Sequence, residues 1–101
     1  MYFMIEQNED KLFEIRMTEK FYKIVSPFYK KDSYFNIFYR LFNLLPKDFY
    51  HYVGYKYGAI FQKSKYINFV KLMFKTKEEG NLFCKELDKR LLYCISRGDF
   101  D

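Results

Sequence analysis

Histidine is almost absent from this chain of 101 residues, and most chemistry of catalytic and metal sites is excluded with it. The single histidine, His51, has no acid or cysteine at the spacing of a catalytic triad or a zinc site. We interpret it as a partly buried structural ring. The sequence also has no glycine-rich phosphate loop and no nucleophile elbow. We therefore predict a protein that is not an enzyme and that holds no cofactor and no metal.

Cysteine is equally scarce, and its two copies are badly placed for a disulfide. Cys84 and Cys94 fall ten residues apart in one predicted helix, where a rise of about 1.5 Å per residue separates them by about 15 Å. A disulfide needs Cα atoms within about 7 Å of each other. We expect two free thiols, which are typical of a reducing compartment.

Long apolar runs are also missing. The longest candidate, residues 33–45, is interrupted by Asn36, Arg40 and Asn43, whereas a membrane helix needs about 20 consecutive apolar residues. Residues 1–6 have neither a basic segment nor a long apolar segment of the kind that opens a signal peptide. The sequence therefore predicts no membrane partner and a cytoplasmic location.

Tryptophan is absent and Ala59 is the single alanine, whereas the chain contains 13 Phe and 11 Tyr. A hydrophobic core built from rings follows. Phe, Tyr, Ile, Asn and Lys, which dominate the composition, are all encoded by A/T-rich codons. This bias indicates a low-GC bacterium, its phage or another mobile element as the source.

The first half of the chain is predicted to form a hairpin followed by one or two helices. Residues 2–6 and 12–17 are β-prone, and in the second run Phe13, Ile15 and Met17 alternate with charges and should face inward. A short helix is expected from Thr18 or Glu19 to Val25, before Pro27.

Residues 33–45 predict a second helix, capped by Asp32 or Ser33 and stopped by Pro46. Its polar positions form one narrow stripe, so most of its surface should be buried. We interpret it as a core helix packed on a sheet, with a partly exposed docking ridge as the alternative.

The second half predicts another hairpin and a long helix. Residues 49–61 are aromatic and β-prone and predict a long strand, and residues 66–75 predict the returning strand. Thr76-Lys77-Glu78-Glu79 has the pattern of a capping box that opens the last helix. We therefore predict a single α+β domain with two β-hairpins forming a mainly antiparallel four-stranded sheet packed against two or three helices.

Charge is distributed unevenly along the chain. Residues 1–19 carry five acids and two bases, a net charge of −3, and residues 78–101 carry six acids and four bases, a net charge of −2. Residues 20–77 carry twelve bases and two acids, a net charge of +10. The middle of the chain is therefore the basic part, and there lysines alternate with tyrosines.

Ammonium groups neutralise phosphates or carboxylates, and phenol rings stack on bases or anchor protein interfaces. We predict a partner-binding surface made of Lys30, Lys31, Arg40, Tyr50, Tyr52, Tyr55, Lys56, Lys63, Lys65 and Tyr66. The expected partner is a larger protein or ribonucleoprotein complex, such as a CRISPR nuclease complex that a mobile element inhibits or redirects.

Three other interpretations remain open for these residues. The chain binds single-stranded RNA or DNA directly, with tyrosines stacked on bases and lysines on phosphates. The lysines keep an apolar small domain in solution and protect sheet edges. The aromatic surplus also allows a homo-oligomeric virion or scaffold component.

Overall fold

A computed structural model describes residues 1–28, 34–63 and 70–99. Its first element is the predicted hairpin, with strands β1 (Phe3–Gln7) and β2 (Phe13–Met17) paired antiparallel from Phe3 opposite Met17 to Gln7 opposite Phe13. The Asn8 side chain accepts hydrogen bonds from the amides of Asp10 and Leu12 at 2.9 and 3.0 Å, and so shapes the turn. The predicted first hairpin is therefore confirmed.

Helix α1 (Glu19–Val25) also follows the prediction. The Thr18 hydroxyl accepts from the Phe21 amide, which gives the helix its N-cap. The side chains of Phe21 and Val25 are buried in the core, and the Phe21 ring centroid lies 4.9 Å from that of Phe3 on β1.

Helix α2 (Tyr34–Phe42) is the predicted buried helix, with Ile37, Phe38, Leu41 and Phe42 in the core. It ends before the predicted stop because Asn43 adopts a left-handed φ of 54°, a conformation that terminates helices and that asparagine tolerates. The capping positions 32 and 33 lie outside the described residues.

Helix α3 (Pro46–Tyr57) overturns the prediction of a strand from residue 49. Pro46 opens this helix instead of stopping the preceding one, since proline suits the first helical turn. Phe49 and Val53, four residues apart, are both fully buried, so helical spacing directs two large side chains into the core. Tertiary packing thereby outweighs the β-propensity of the tyrosines.

The sheet has the predicted composition of two hairpins. Strands β3 (Ile60–Lys63) and β4 (Val70–Phe74) pair antiparallel, and β4 also pairs antiparallel with β2, which gives the order β1-β2-β4-β3. The α+β class is therefore confirmed. The described residues contain four helices where the sequence predicted two or three.

Helix α4 (Lys77–Ser96) crosses the sheet and contacts β1, β2 and β4 as well as α2 and α3. The predicted capping interaction is present: the Thr76 hydroxyl accepts from the Glu79 amide at 3.2 Å and donates to the Glu79 carboxylate at 2.9 Å. Cys84 and Cys94 are free and buried within this helix, as the spacing predicted.

None of the helices in the three described stretches has the length and apolar character that crossing a bilayer requires.

Gly54 within α3 and Gly58 at its C-terminal cap give a matched test of the backbone. Gly58 ends the helix with φ 69°, and a Cβ there would meet the Glu79 carboxylate, whereas a Cβ on Gly54 would lie 3.7 Å from the Ala59 carbonyl oxygen, an ordinary contact. We expect Gly58→Ala to lower the free energy of unfolding by about 1–2 kcal/mol. Gly54→Ala should raise it by about 0.5–1 kcal/mol. Urea unfolding of both variants checks the opposite signs, and equal effects would contradict this description of α3.

Burial of Cys84 predicts a loss of stability at alkaline pH. Burial, and secondly the Asp88 carboxylate, raises the pKa of the Cys84 thiol to about 12. An unfolded thiol ionises near pH 8.5, so above that pH the unfolded state releases a proton that the folded state retains. We expect the free energy of unfolding to fall by about 1 kcal/mol per pH unit between about pH 9 and 11. Urea unfolding across this range measures the slope.

The control for this prediction is Cys84→Ala, which removes the titrating group. The variant should be less stable at every pH because it leaves a cavity, but its decline with pH should be shallower. Tyr39, whose pKa burial and then the Tyr50 hydrogen bond also raise, contributes equally to both proteins. Parallel pH profiles for the two proteins would rule out Cys84 as the cause.

Candidate docking surface

The described structure contains six of the ten predicted partner-binding residues. Lys63 belongs to β3, where its backbone pairs with Val70. The remaining positions lie outside the described residues: Lys30, Lys31, Lys65 and Tyr66.

Tyr50 is oriented into the fold. Its hydroxyl lies 2.6 Å from the Tyr39 hydroxyl, and its ring centroid is 4.7 Å from that of Phe61. The side chain is half-buried and packs against the core. Both the hydroxyl and part of the ring of Tyr50 are therefore engaged within the protein.

Tyr52, Tyr55 and Lys56 are brought together by one turn of α3 rather than by a strand. The Lys56 ammonium donates to the Tyr52 hydroxyl at 3.0 Å and lies 5.4 Å from the Tyr52 ring centroid and 5.6 Å from that of Tyr57. The hydrogen bond to Tyr52 and the two phenols raise the pKa of Lys56. Tyr55 is 88% exposed. We call Tyr52, Tyr55 and Lys56 the α3 cluster.

Arg90 joins the α3 cluster to a neighbouring groove. Its guanidinium lies 4.2 Å above the Phe42 ring, donates to the Glu86 carboxylate at 2.7 Å and donates to the Leu41 carbonyl at 3.3 Å. The last contact satisfies a carbonyl at the C-terminal end of α2, where a positive charge is favourable. The ring of Tyr52 packs on the same Phe42 at 6.1 Å, so the two regions share one aromatic wall.

The groove lies between the end of α2 and the C-terminal half of α4 and has a volume of about 630 Å³. We call it the basic groove. It is lined by Arg40, Leu41, Asn43, Glu86, Lys89, Arg90, Tyr93, Cys94, Arg97 and Asp99. Four of these residues are bases and two are acids. Tyr93 is 61% exposed, and the Arg97 guanidinium lies 5.0 Å from its ring while donating to Asp99 at 2.9 Å.

Sequence reasoning found Arg40 but missed the α4 side of the basic groove. Residues 78–101 have a net negative charge, so a charge count by segment did not draw attention to the basic residues among them. The signal was present in the helical spacing, because Lys89, Tyr93 and Arg97 recur every four residues and therefore lie on one face of α4.

Other cations lie on the face of the sheet that the helices do not cover. Arg16 pairs there with Glu6 at 3.0 Å, and the Lys71 ammonium on β4 lies 3.5 Å from the Glu14 carboxylate. His51, expected to be partly buried, is exposed on α3. Across residues 1–28, 34–63 and 70–99, no three side chains of His, Cys, Asp or Glu are grouped so that they could hold a metal ion.

Comparison of the chain with protein-family models, with curated proteins and with solved structures gives no match.

Arg90 is expected to stabilise the walls of the groove. Arg90→Met keeps an apolar stem over Phe42 but leaves the Glu86 carboxylate and the Leu41 carbonyl without their donor. We expect the free energy of unfolding to fall by about 1–2 kcal/mol. The double variant Arg90→Met/Glu86→Gln should regain part of this loss because it removes the unpaired charge. Urea unfolding measures the free energy of unfolding of both variants. If Arg90→Met is as stable as the parent protein, the contacts of Arg90 do not stabilise the junction of α2 and α4.

Proposed function

We propose that this chain is a non-enzymatic binding protein that docks on a larger protein or ribonucleoprotein through the basic groove and the adjoining α3 cluster. The observation that carries the proposal is the basic groove itself, a concave region of about 630 Å³ with four cationic side chains and an exposed tyrosine on its rim. Arginine and tyrosine are the residue types that protein interfaces concentrate.

An exposed aromatic side chain in the groove supports a protein partner. Tyr93, which lines the groove, is 61% exposed. Large apolar side chains next to cations are typical of a docking surface whose centre becomes dry on association.

Direct binding of single-stranded RNA or DNA is the second candidate. It is supported by Tyr55, which is 88% exposed and precedes Lys56 on α3. The geometry favours it less, because Tyr50 is packed against Phe61 and Tyr52 lies beneath Lys56. Stacking on bases needs open ring faces.

Composition extends the proposal to the biological setting. A small basic protein from a low-GC bacterium, its phage or a mobile element would act in the cytoplasm, with a host nuclease or nucleoprotein complex as its partner. The excess of amino acids that A/T-rich codons encode supports this setting, and the groove supports the docking.

Site-specific cross-linking tests the docking surface. A photoreactive residue replaces Tyr93 on the groove rim in one variant and Met4, 48% exposed on the opposite sheet face, in the other. We expect the variant at position 93 to capture a discrete protein from a low-GC bacterial lysate, also after nuclease treatment. The variant at position 4 should not capture it. Equal capture at both positions would contradict docking through the groove.

Charge removal sharpens this test, and α4 offers a matched control. Lys89 lines the groove, whereas Lys85, one turn earlier on α4, is exposed outside it. Lys89→Ala combined with Arg40→Ala should lower capture at position 93 about tenfold, because two charges at a desolvated contact are lost. Lys85→Ala should leave capture unchanged.

A salt titration against random oligonucleotides separates the second candidate. Direct binding to single strands predicts an affinity that falls log-linearly with salt, with a slope of about −0.7 per neutralised phosphate. The absence of binding at low salt would exclude it.

A further inference from the structure

One line of exposed or partly exposed side chains follows the outer face of α4. Its members recur every three or four residues, so a helix with about 3.6 residues per turn places them on the same face. From the N-terminus they are Glu78, Leu82, Glu86, Lys89, Tyr93 and the C-cap residue Arg97. The two apolar members are the most open to contact, since Leu82 is 58% exposed and Tyr93 is 61% exposed. We call these six residues the α4 stripe.

The order of residue types in the α4 stripe is complementary to itself. Its N-terminal half contains an acid, an apolar residue and an acid, and its C-terminal half contains a base, an apolar residue and a base. The two halves are symmetric about a point between Leu87 and Asp88.

A second copy of α4 that lies antiparallel across this point matches all six positions. Leu82 then lies opposite Tyr93 of the other copy. Each acid lies opposite a base, with Glu86 facing Lys89 and Glu78 facing Arg97. Such an interface is isologous, so every contact occurs twice.

The charged groups of the stripe have the capacity for these contacts. The described contacts include no ion pair of Glu78 or Lys89. Glu86 accepts from Arg90 through one carboxylate oxygen, and Arg97 donates to Asp99 through one terminal nitrogen. A carboxylate has a second oxygen and a guanidinium has five N–H donors, so both groups can make a further ion pair.

Charge also selects the orientation of the two helices. In a parallel pair each residue of the stripe would meet its own counterpart, so that Glu78 faces Glu78 and Lys89 faces Lys89. Like charges in contact disfavour that arrangement. In the antiparallel pair the four ion pairs fix the register, and the two contacts between Leu82 and Tyr93 remove apolar surface from water.

We propose that the chain forms an antiparallel dimer with a second copy of itself through the α4 stripe. Four members of the stripe also line the basic groove: Glu86, Lys89, Tyr93 and Arg97. The dimer covers these residues, so a partner protein reaches the groove only after the two copies separate. Self-association thereby regulates access to the docking surface, a property that goes beyond the proposed function.

Sedimentation equilibrium of the purified chain tests the dimer. We expect the weight-average mass to rise from 12.6 kDa towards twice that value as the protein concentration rises from about 5 to about 500 µM. A mass that stays at the monomer value over this range overturns the inference. Growth beyond twice the monomer mass indicates an open-ended assembly and overturns it as well.

The apolar contact has a matched pair of variants. Leu82→Ser changes the stripe but not the lining of the groove, and it should weaken association at least about tenfold because both contacts with Tyr93 are lost. Leu92 is 52% exposed but is rotated by about 100° around the helix from Tyr93. Leu92→Ser should therefore leave association unchanged. Equal weakening by the two variants contradicts the α4 stripe as the interface.

Charge reversal at the ends of the stripe tests the register. Glu78→Lys and Arg97→Glu each place like charges opposite each other at both ends of the dimer. Each variant alone should associate about tenfold more weakly than the parent protein. An equimolar mixture should regain the parent affinity, because the mixed dimer again joins opposite charges at both ends.

The control for charge reversal is Lys77→Glu, which lies about 100° around the helix from Glu78 and should leave association unchanged. Far-UV circular dichroism checks that every variant is folded. A mixture of Glu78→Lys and Arg97→Glu that associates as weakly as its components overturns the antiparallel register.

The outcomes separate this inference from the proposed function. If the chain stays monomeric while cross-linking at position 93 still captures a protein, the dimer is excluded and docking through the groove stands. If the dimer forms while positions 93 and 4 capture equally, docking through the groove is excluded and self-association stands.

Discussion

The arrangement of the helices depends on the contacts that the Phe42 ring makes. It stacks on Phe83 with centroids 5.7 Å apart and an interplanar angle of 14°, and it meets Phe49 edge-on at 5.4 Å. One side chain therefore joins α2, α4 and α3. The ring is 6% exposed and also supports the Arg90 guanidinium. Because Phe42 is the last residue of α2, this packing fixes the end of that helix, where the basic groove begins.

A core made of rings explains how four helices can share one face of a small sheet. Phe3, Phe21, Phe49, Phe74 and Phe83 are almost fully buried, and most ring pairs between different elements meet edge-on or tilted, such as Phe3 with Phe21 and Phe74 with Phe83. Such pairs add stabilisation beyond their buried area. The polar side chains are left on the rims and on the opposite sheet face, where ion pairs such as Arg16 with Glu6 cross between strands.

The sequence predicted those elements whose signals are local. The alternation in β2, the short helix that begins at Thr18 or Glu19 and the capping box at Thr76 each depend on neighbouring residues, and all were confirmed. Helix α3 was missed because tyrosine-rich sequence favours strands in isolation, while the burial of Phe49 and Val53 depends on elements far away in the chain. Pro46 was ambiguous for a physical reason. Proline ends a preceding helix because it lacks an N–H and its ring clashes with the preceding turn, whereas its fixed φ suits the first turn of a new helix.

The candidate site was predictable only in part, for a related reason. The groove is assembled from α2 and α4, and the hydrogen bond from Arg90 to the Leu41 carbonyl spans 49 positions of the chain. A charge count along the sequence averages each segment separately and cannot bring Arg40 beside Lys89. Helical spacing on α4 would have revealed one half of the groove, but its position opposite α2 follows from the packing of the core.

Arg90 both links α4 to the end of α2 and lines the groove. This double role limits the substitutions that the position tolerates. A substitution at Arg90 would destabilise the junction of α2 and α4. It would therefore be selected against through its effect on folding. Lys89 is exposed in the lining of the groove, and no described contact of its side chain links two elements of the fold. Among descendants of this chain, substitutions would therefore accumulate at Lys89, while Arg90 would be retained.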